Sequence, residues 1–352
     1  MKILFLVGHP AHVHLFKNLI RILLEKGHKI KIVAIEKEIT LRLLDIYSFN
    51  YHTIGSSNDN MLAKLVGLFR KNYNLFKIAK GFSPDITIST GSPYLAQISK
   101  ILNIPHIAFG DTEIAKISTR LMLPFTRAVC TPSCFFINLG PKQVRYEGYH
   151  ELAYLHPNYF VPDPSVLDLL NCKDEKFFLL RISSLNASHD IGARGFSFNS
   201  DDQMLVFLET LEKYGRVFLT SERELDSRFE KYLIKIPIEK IHDLLYYATI
   251  YIGDGATMAS EAGVLGTPWV YISNTRRGYL EDQELNYGLG YTFSDVIKAT
   301  EKINELLNKN DLKREWNAKR KKLLNEKIDV TKFMVDFIEN FYQNNQKSAL
   351  SK

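Results

Sequence analysis

The sequence predicts an α/β protein built from two open, doubly wound parallel-sheet domains. Three observations carry this. The 352 residues exceed what one ordinary core holds and suit two domains of about 150 residues each. Short apolar runs alternate with helical patterns in both halves. A stretch rich in proline and aromatic residues, Pro141 to Asp163, separates the two series and reads as a hinge. The composition agrees: 45% hydrophobic and 24% charged residues mark a folded globular chain and exclude disordered, collagen-like and coiled-coil classes.

Lys2–Val7 is a first strand. After a loop, Val13–Lys26 carries Val13, Phe16, Leu19, Ile20, Leu23 and Leu24 on one helical face, Gly27 ends it, and Lys29–Ile35 is the next strand. Strand, helix, glycine and strand in this order form a βαβ crossover, which requires a parallel sheet. Asp85–Ser89, His106–Phe109 and Ala128–Thr131 continue it. Beyond the hinge, Lys176–Ile182 opens a second series with Arg216–Thr220, Lys235–Ile236, Ile250–Gly253 and Trp269–Ile272. Past residue 300 only helices are expected, ending in Asp329–Phe341, where Val330, Phe333, Met334, Phe337 and Ile338 need an apolar partner. The domains expected are 1–160, 161–328 and a terminal helix and tail, 329–352. Two such domains facing each other leave a cleft at the carboxyl ends of their strands, where open α/β sheets bind ligands.

The chain carries 45 Lys and Arg against 39 Asp and Glu. The excess is uneven: residues 1–160 hold 19 basic against 10 acidic residues, and residues 161–352 hold 26 against 29. A basic first half suits an anionic partner. Without basic clusters interleaved with aromatics, or any nucleic-acid module, nucleic acid is not that partner. Lys2–Val7 followed by His9, His12 and His14, with no small-residue cleavage site, reads as a strand rather than a signal peptide. Three cysteines with no C-x-x-C pair fit a reduced cytoplasm. No P-loop, G-x-G-x-x-G, H-E-x-x-H or G-x-S-x-G occurs, against ATPase, dinucleotide, metalloprotease and hydrolase readings.

The strongest local signal is Gly253-Asp254-Gly255-Ala256-Thr257-Met258-Ala259-Ser260-Glu261, followed by Leu265-Gly266-Thr267-Pro268. A strand runs into a turn of small residues and then a helix, so a phosphate can reach the N–H groups of the helix N-terminus. Glu261 lies one turn further in, on the face of Thr257, placed for ribose hydroxyls. This segment resembles the donor-nucleotide motif of GT-B fold proteins, which include the lipid-linked N-acetylglucosaminyltransferase of peptidoglycan synthesis and the non-hydrolysing UDP-N-acetylglucosamine 2-epimerases. The resemblance implies a GT-B fold with a C-terminal helix crossing back to the first domain. It implies ribose binding by Glu261 and diphosphate binding by Gly255, Ala256, Thr257 and Met258, with no metal and no other cofactor. The stretches Pro10–Phe16, Gly148–Leu155 and Ala187–Asp190 are similar to an archaeal and bacterial GT-B-like family of unassigned function.

Three more loops follow strands. Gly8–His14 holds His9, His12 and His14. The resemblance places His12 as a general base and His9 and His14 on the acceptor side. Histidines that cap the following helix are the alternative, and a zinc site lacks partners at standard spacing. Phe109-Gly110-Asp111-Thr112-Glu113 offers Asp111 and Glu113 for proton transfer or acceptor binding, or Asp111 as a helix cap. Arg181-Ile182-Ser183-Ser184, with His189 beyond, offers a fixed positive charge and hydroxyls for a diphosphate. Arg276 and Arg277 are a weaker pair.

Two activities follow from the resemblance. One is a metal-independent glycosyltransferase using a nucleotide-sugar donor, UDP-linked, and a glycan or lipid-linked acceptor. The other is a nucleotide-sugar 2-epimerase, which needs several acidic residues, of which only Asp111 and Glu113 stand out. Residues 61–80 join Met61, Leu65, Leu68, Phe69 and Phe76 with Lys64, Arg70, Lys71, Lys77 and Lys80, and Leu121–Arg127 adds apolar contact. Both suit either an anionic membrane surface or a core-packed helix with solvated lysines.

Overall fold

The computed structural model describes residues 1–56, 61–183, 196, 198, 200–222 and 224–350, and of Ser56, 61–69 and 348–350 the backbone only. The chain divides into two compact units, Met1–Tyr154 with Ile328–Lys352, and Leu155–Lys327. The boundary falls inside the expected hinge, a few residues before the expected position at 160. The front of that hinge belongs to the first sheet, because Gln143–Tyr146 pairs with the strand Ala128–Pro132.

The first unit holds seven parallel strands: β1 (Lys2–Val7), β2 (Lys29–Glu36), β3 (Tyr51–Ser56), β4 (Ile86–Ser89), β5 (His106–Phe109), β6 (Ala128–Pro132) and β7 (Gln143–Tyr146). Their order is β3-β2-β1-β4-β5-β6-β7. The helices between them are α1 (Pro10–Glu25), α2 (Glu38–Ile46), α3 (Met61–Phe82), α4 (Pro93–Ile101) and α5 (Lys116–Met122), with the short α6 (Leu152–Leu155) after β7. Ile3 to Val7 are at most 3% exposed, as expected of a central strand covered on both faces. Helix α1 starts earlier than the apolar pattern suggests: Pro10 fills the first position and the His9 ring accepts the Ala11 N–H. It buries Val13, Phe16, Leu19, Ile20 and Leu23, while Leu24 stays exposed, off that face. In α3, Leu75 and Ala79 are buried and Phe76 packs beside them, so this end of the helix serves the core. Leu65, Leu68 and Phe69 lie outside the described side chains.

The second unit holds α7 (Ser165–Leu169), β8 (Phe177–Ile182), α8 (Asp201–Glu212), β9 (Arg216–Ser221), α9 (Ile241–Tyr247), β10 (Ile250–Gly253), α10 (Ala256–Leu265), β11 (Trp269–Ile272), α11 (Gly278–Tyr287), β12 (Gly290–Phe293), α12 (Val296–Leu307) and α13 (Leu312–Glu326). Its parallel sheet runs β12-β11-β10-β8-β9. Lys235–Ile236 is not a strand. Pro237 follows it, and the pairing to β9 there is one bridge, Leu219 to Leu233.

The last helix, α14 (Val330–Leu350), belongs to the first unit and packs on α1. Val330, Met334, Val335 and Ile338 are buried, which answers the amphipathic pattern. No helix among the described residues is long and apolar enough to cross a membrane.

Candidate functional site

In each sheet the strand order reverses at one point, between β1 and β4 in the first and between β8 and β10 in the second. Loops diverge at such a switch point and leave room at the carboxyl ends of the strands. The histidine loop follows β1, and the small-residue turn follows β10, so both motifs lie at the switch point of their own sheet.

At the first switch point His12 is engaged on both nitrogens. Its Nδ1 accepts the Gly8 N–H at 3.2 Å, so the neutral ring carries its proton on Nε2, 2.9 Å from Thr90 Oγ1. Burial first, and then His9, push its pKa down to about 3. A general base works best with a pKa near the operating pH, and His12 lies far below it. His9 is exposed and caps α1, with its ring 5.8 Å from that of His12. His14 points into the core: it is 6% exposed, stacks on Tyr154 at 5.4 Å and lies 3.3 Å from Tyr47 Oη. An acceptor-side role for His14 is therefore corrected to a packing role.

Asp111, in the loop after β5, is held from two directions. One carboxylate oxygen lies 3.0 Å from His150 Nδ1 and the other accepts the Thr112 hydroxyl at 2.8 Å. Burial pushes this carboxyl up, but the charge and hydrogen bond of His150, the Thr112 bond and His12 outweigh it and hold the pKa at about 2. Asp111 is a hydrogen-bond partner of His150 and not a helix cap, because α5 begins five residues later. Glu113 is buried, and so is Glu151, beside His150. Tyr146, at the end of β7, is pushed well above its ordinary pKa by burial, then by Asp111, Cys130, Cys134 and Glu151. A buried polar corner thus forms where β5, β6 and β7 end.

His150 and Glu151 are functional candidates that sequence reasoning passed over. Their signal was a His-Glu pair set in the apolar run Tyr149 to Leu155, just after a strand. The partner, Asp111, is distant in sequence, so spacing alone does not reveal it.

At the second switch point the backbone of β8 and β10 packs too closely for side chains. A Cβ on Gly253 would lie 2.3 Å from the Arg181 carbonyl oxygen, and one on Gly255 would lie 2.8 Å from Tyr251 Oη and 3.0 Å from Arg181 Cγ. Gly255 to Met258 are partly exposed, and no acceptor among the described residues meets the N–H groups of Ala256, Thr257 and Met258. Asp254, 6% exposed, accepts the Ser183 N–H at 2.7 Å and the Phe196 N–H at 3.1 Å, so one carboxylate fixes both flanks of residues 184–195. Ser184 and His189 lie outside the described residues.

Two expected ligand groups already have protein partners. The Arg181 guanidinium pairs with Glu222. Glu261 is 4% exposed, and its Oε1 lies 2.9 Å from Nε2 of buried His242 on α9. Arg276 pairs with Glu281, and Arg277 is buried against the Arg276 carbonyl. Among the described residues no three His, Cys, Asp or Glu side chains gather as metal ligands.

The comparisons agree with this architecture. A family model described as "Protein of unknown function (DUF354)" matches residues 1–343. An uncharacterized protein of Methanocaldococcus jannaschii, MJ0665, is 26% identical over 276 residues, 74% of this chain and 79% of that one. The UDP-GlcNAc 2-epimerase of Neisseria meningitidis, solved bound to UDP-GlcNAc, superposes with a TM-score of 0.65 at 15% identity, covering 97% of this chain and 100% of that one. MnaA of S. aureus, solved with UDP, gives a TM-score of 0.69 at 11% identity and covers 97% of both chains. MurG of Acinetobacter baumannii gives 0.59 at 12% identity, covering 96% of this chain and 99% of that one. The fold is of the GT-B type.

Proposed function

Because this chain belongs to the family described as "Protein of unknown function (DUF354)" and has the GT-B fold, we propose that it is an enzyme acting on a nucleotide sugar, and that it transfers the sugar to a hydroxyl acceptor. The observation that carries this reading is the bare start of α10. The N–H groups of Ala256, Thr257 and Met258, in a partly exposed turn and with no acceptor among the described residues, suit a diphosphate. Glu261, oriented by His242, takes the ribose hydroxyls, and Arg181 exchanges Glu222 for phosphate oxygens. UDP is the nucleotide of choice, since structures of similar fold were solved with UDP or UDP-GlcNAc. Helix dipole and arginine neutralise the leaving diphosphate, so the reaction needs no metal.

The first unit supplies proton chemistry and the acceptor side. Asp111, Glu113, His150 and Glu151 are its candidates. The acceptor is a glycan or lipid-linked hydroxyl compound at the cytoplasmic membrane face, in keeping with the basic excess of the first half.

A nucleotide-sugar 2-epimerase is the second reading, and one observation favours it. The buried corner brings Glu151 together with Asp111 around Tyr146, so the acidic set is larger than the sequence suggested. Incubating the purified protein with UDP-sugars and no acceptor separates the two. A new UDP-sugar identifies the epimerase, and slow release of UDP identifies the transferase. Absence of UDP binding by calorimetry would refute both.

A further inference from the structure

We propose that His150, oriented by Asp111, is the group that takes the proton from the substrate hydroxyl, through its Nε2. This assignment rests on the nucleotide-sugar reading for its substrate, but its chemistry is set by the local geometry.

Asp111 fixes the tautomer. Its carboxylate accepts from His150 Nδ1 at 3.0 Å, so the neutral ring bears a lone pair on Nε2. That atom is buried and has no hydrogen-bond partner among the described residues. A buried acceptor left without a donor costs about 1–3 kcal/mol, and a substrate hydroxyl is the donor that would relieve it. His12 cannot play this part as it stands, because its lone pair on Nδ1 already accepts the Gly8 N–H.

The backbone around His150 is held rigidly. A Cβ on Gly148 would lie 2.6 Å from Val330 Cγ2. The Ile328 N–H donates to the Glu147 carbonyl at 2.8 Å. Asn18 and Thr331 both donate to the Ala153 carbonyl, at 2.9 and 2.7 Å. A proton acceptor must be positioned this closely to act.

The titratable groups around it are His12 after β1, Asp111 after β5, Cys130 and Cys134 on and after β6, and Tyr146 and Glu151 around β7, while His9 and Lys37 act on His12. Asp111 stays ionised among them and stabilises the imidazolium that forms. In the step, the acceptor O–H bond breaks and the Nε2–H bond forms. The electron pair of the broken O–H bond stays on the substrate oxygen, which becomes the nucleophile. The imidazolium then returns its proton to water.

Nitrogen NMR of the histidine side chains in the full chain at neutral pH tests the geometry without needing turnover. The His150 signals, assigned by their loss in His150→Gln, should show a protonated Nδ1 and an unprotonated Nε2. Asp111→Asn should shift that tautomer. A protonated Nε2 in the wild type, or no response to Asp111→Asn, overturns the proposal. In UDP-release assays His150→Gln should lower turnover by roughly 10²–10⁴-fold while UDP affinity by calorimetry stays within about twofold. Undiminished turnover in His150→Gln also overturns it. If the wild type binds no UDP, the nucleotide-sugar reading falls instead, and the His150 assignment is decided by its tautomer.

Discussion

Thr331, at the start of the last helix, donates its hydroxyl to the Ala153 carbonyl at 2.7 Å, three residues beyond His150. Thr331 is fully buried, and Asn18 of α1 donates to the same oxygen. The chain's end thus braces the segment that carries the buried histidine. Thr331→Val keeps the shape and removes one donor, at a cost of about 0.5–1.5 kcal/mol. Amide hydrogen exchange over residues 146–155 should quicken by several-fold, with the second unit unchanged. Equal rates in wild type and variant would show that Asn18 alone suffices.

How far the fold was legible depended on where a strand lies. β1, β4, β5, β10 and β11 are central and covered on both faces, and they read as mainly apolar runs in which Thr87, Ser89 and His106 are buried polar exceptions. The strands that were passed over, β3, β7 and β12, are all at sheet edges. Tyr51-His52-Thr53-Ile54 and Gln143-Val144-Arg145-Tyr146 carry few apolar residues, and Gly290 begins β12 directly after Gly288-Leu289. The turn after β10 was legible because small residues at a strand-to-helix junction have few other uses. The proposed proton site was half legible. Asp111 follows a clear strand, but His150 follows an edge strand hidden in a stretch that resembled a linker.

Glu261 should prove necessary for nucleotide binding. Glu261→Ala removes hydrogen bonds to a charged group, about 1.5–3 kcal/mol, or roughly 10- to 150-fold in UDP affinity. It also removes one hydrogen-bond partner of the buried His242 ring, so some stability is lost with it. Glu261→Gln keeps an oxygen for His242 and removes the charge. It should hold the wild-type melting temperature more closely and still bind UDP weakly. Wild-type UDP affinity in both variants, by calorimetry, would remove Glu261 from the site.

Acid should weaken the first unit well above the usual carboxylate range. Burial pushes the fully buried His106 down to about 3, and the unfolded chain takes the same proton near pH 6.5. Between these values the unfolded state binds more protons, so stability falls as pH drops, by up to about 5 kcal/mol at pH 3. His12 slopes the same way. Asp111 acts lower: its pKa is held at about 2, so its contribution is present above about pH 4 and is lost between there and 2. Urea unfolding followed by exchange in the first unit should show the slope from pH 6.5 downward, flattened in His106→Gln. An unchanged slope in that variant would place the acid sensitivity elsewhere.

A membrane partner is tested on the surface that the fold leaves outside. Ile117 is 77% exposed, Leu121 52% and Phe125 38%, four residues apart along α5 and the turn that follows it. Lys116, Arg120 and Arg127 are exposed among them. Apolar side chains edged with basic ones suit an anionic bilayer, where each basic residue near the surface contributes about 1 kcal/mol. The visible end of α3 contributes less, because Leu75 and Ala79 face the core. The full chain should sediment with vesicles rich in phosphatidylglycerol at low salt and be released as salt shortens the Debye length below about 8 Å. Ile117→Ser with Leu121→Ser should reduce binding at every salt concentration, whereas Arg120→Glu with Arg127→Glu should mainly remove its salt dependence. Vesicles that retain none of the wild-type protein at low salt would exclude this surface as a bilayer contact and leave a soluble hydroxyl compound as the acceptor.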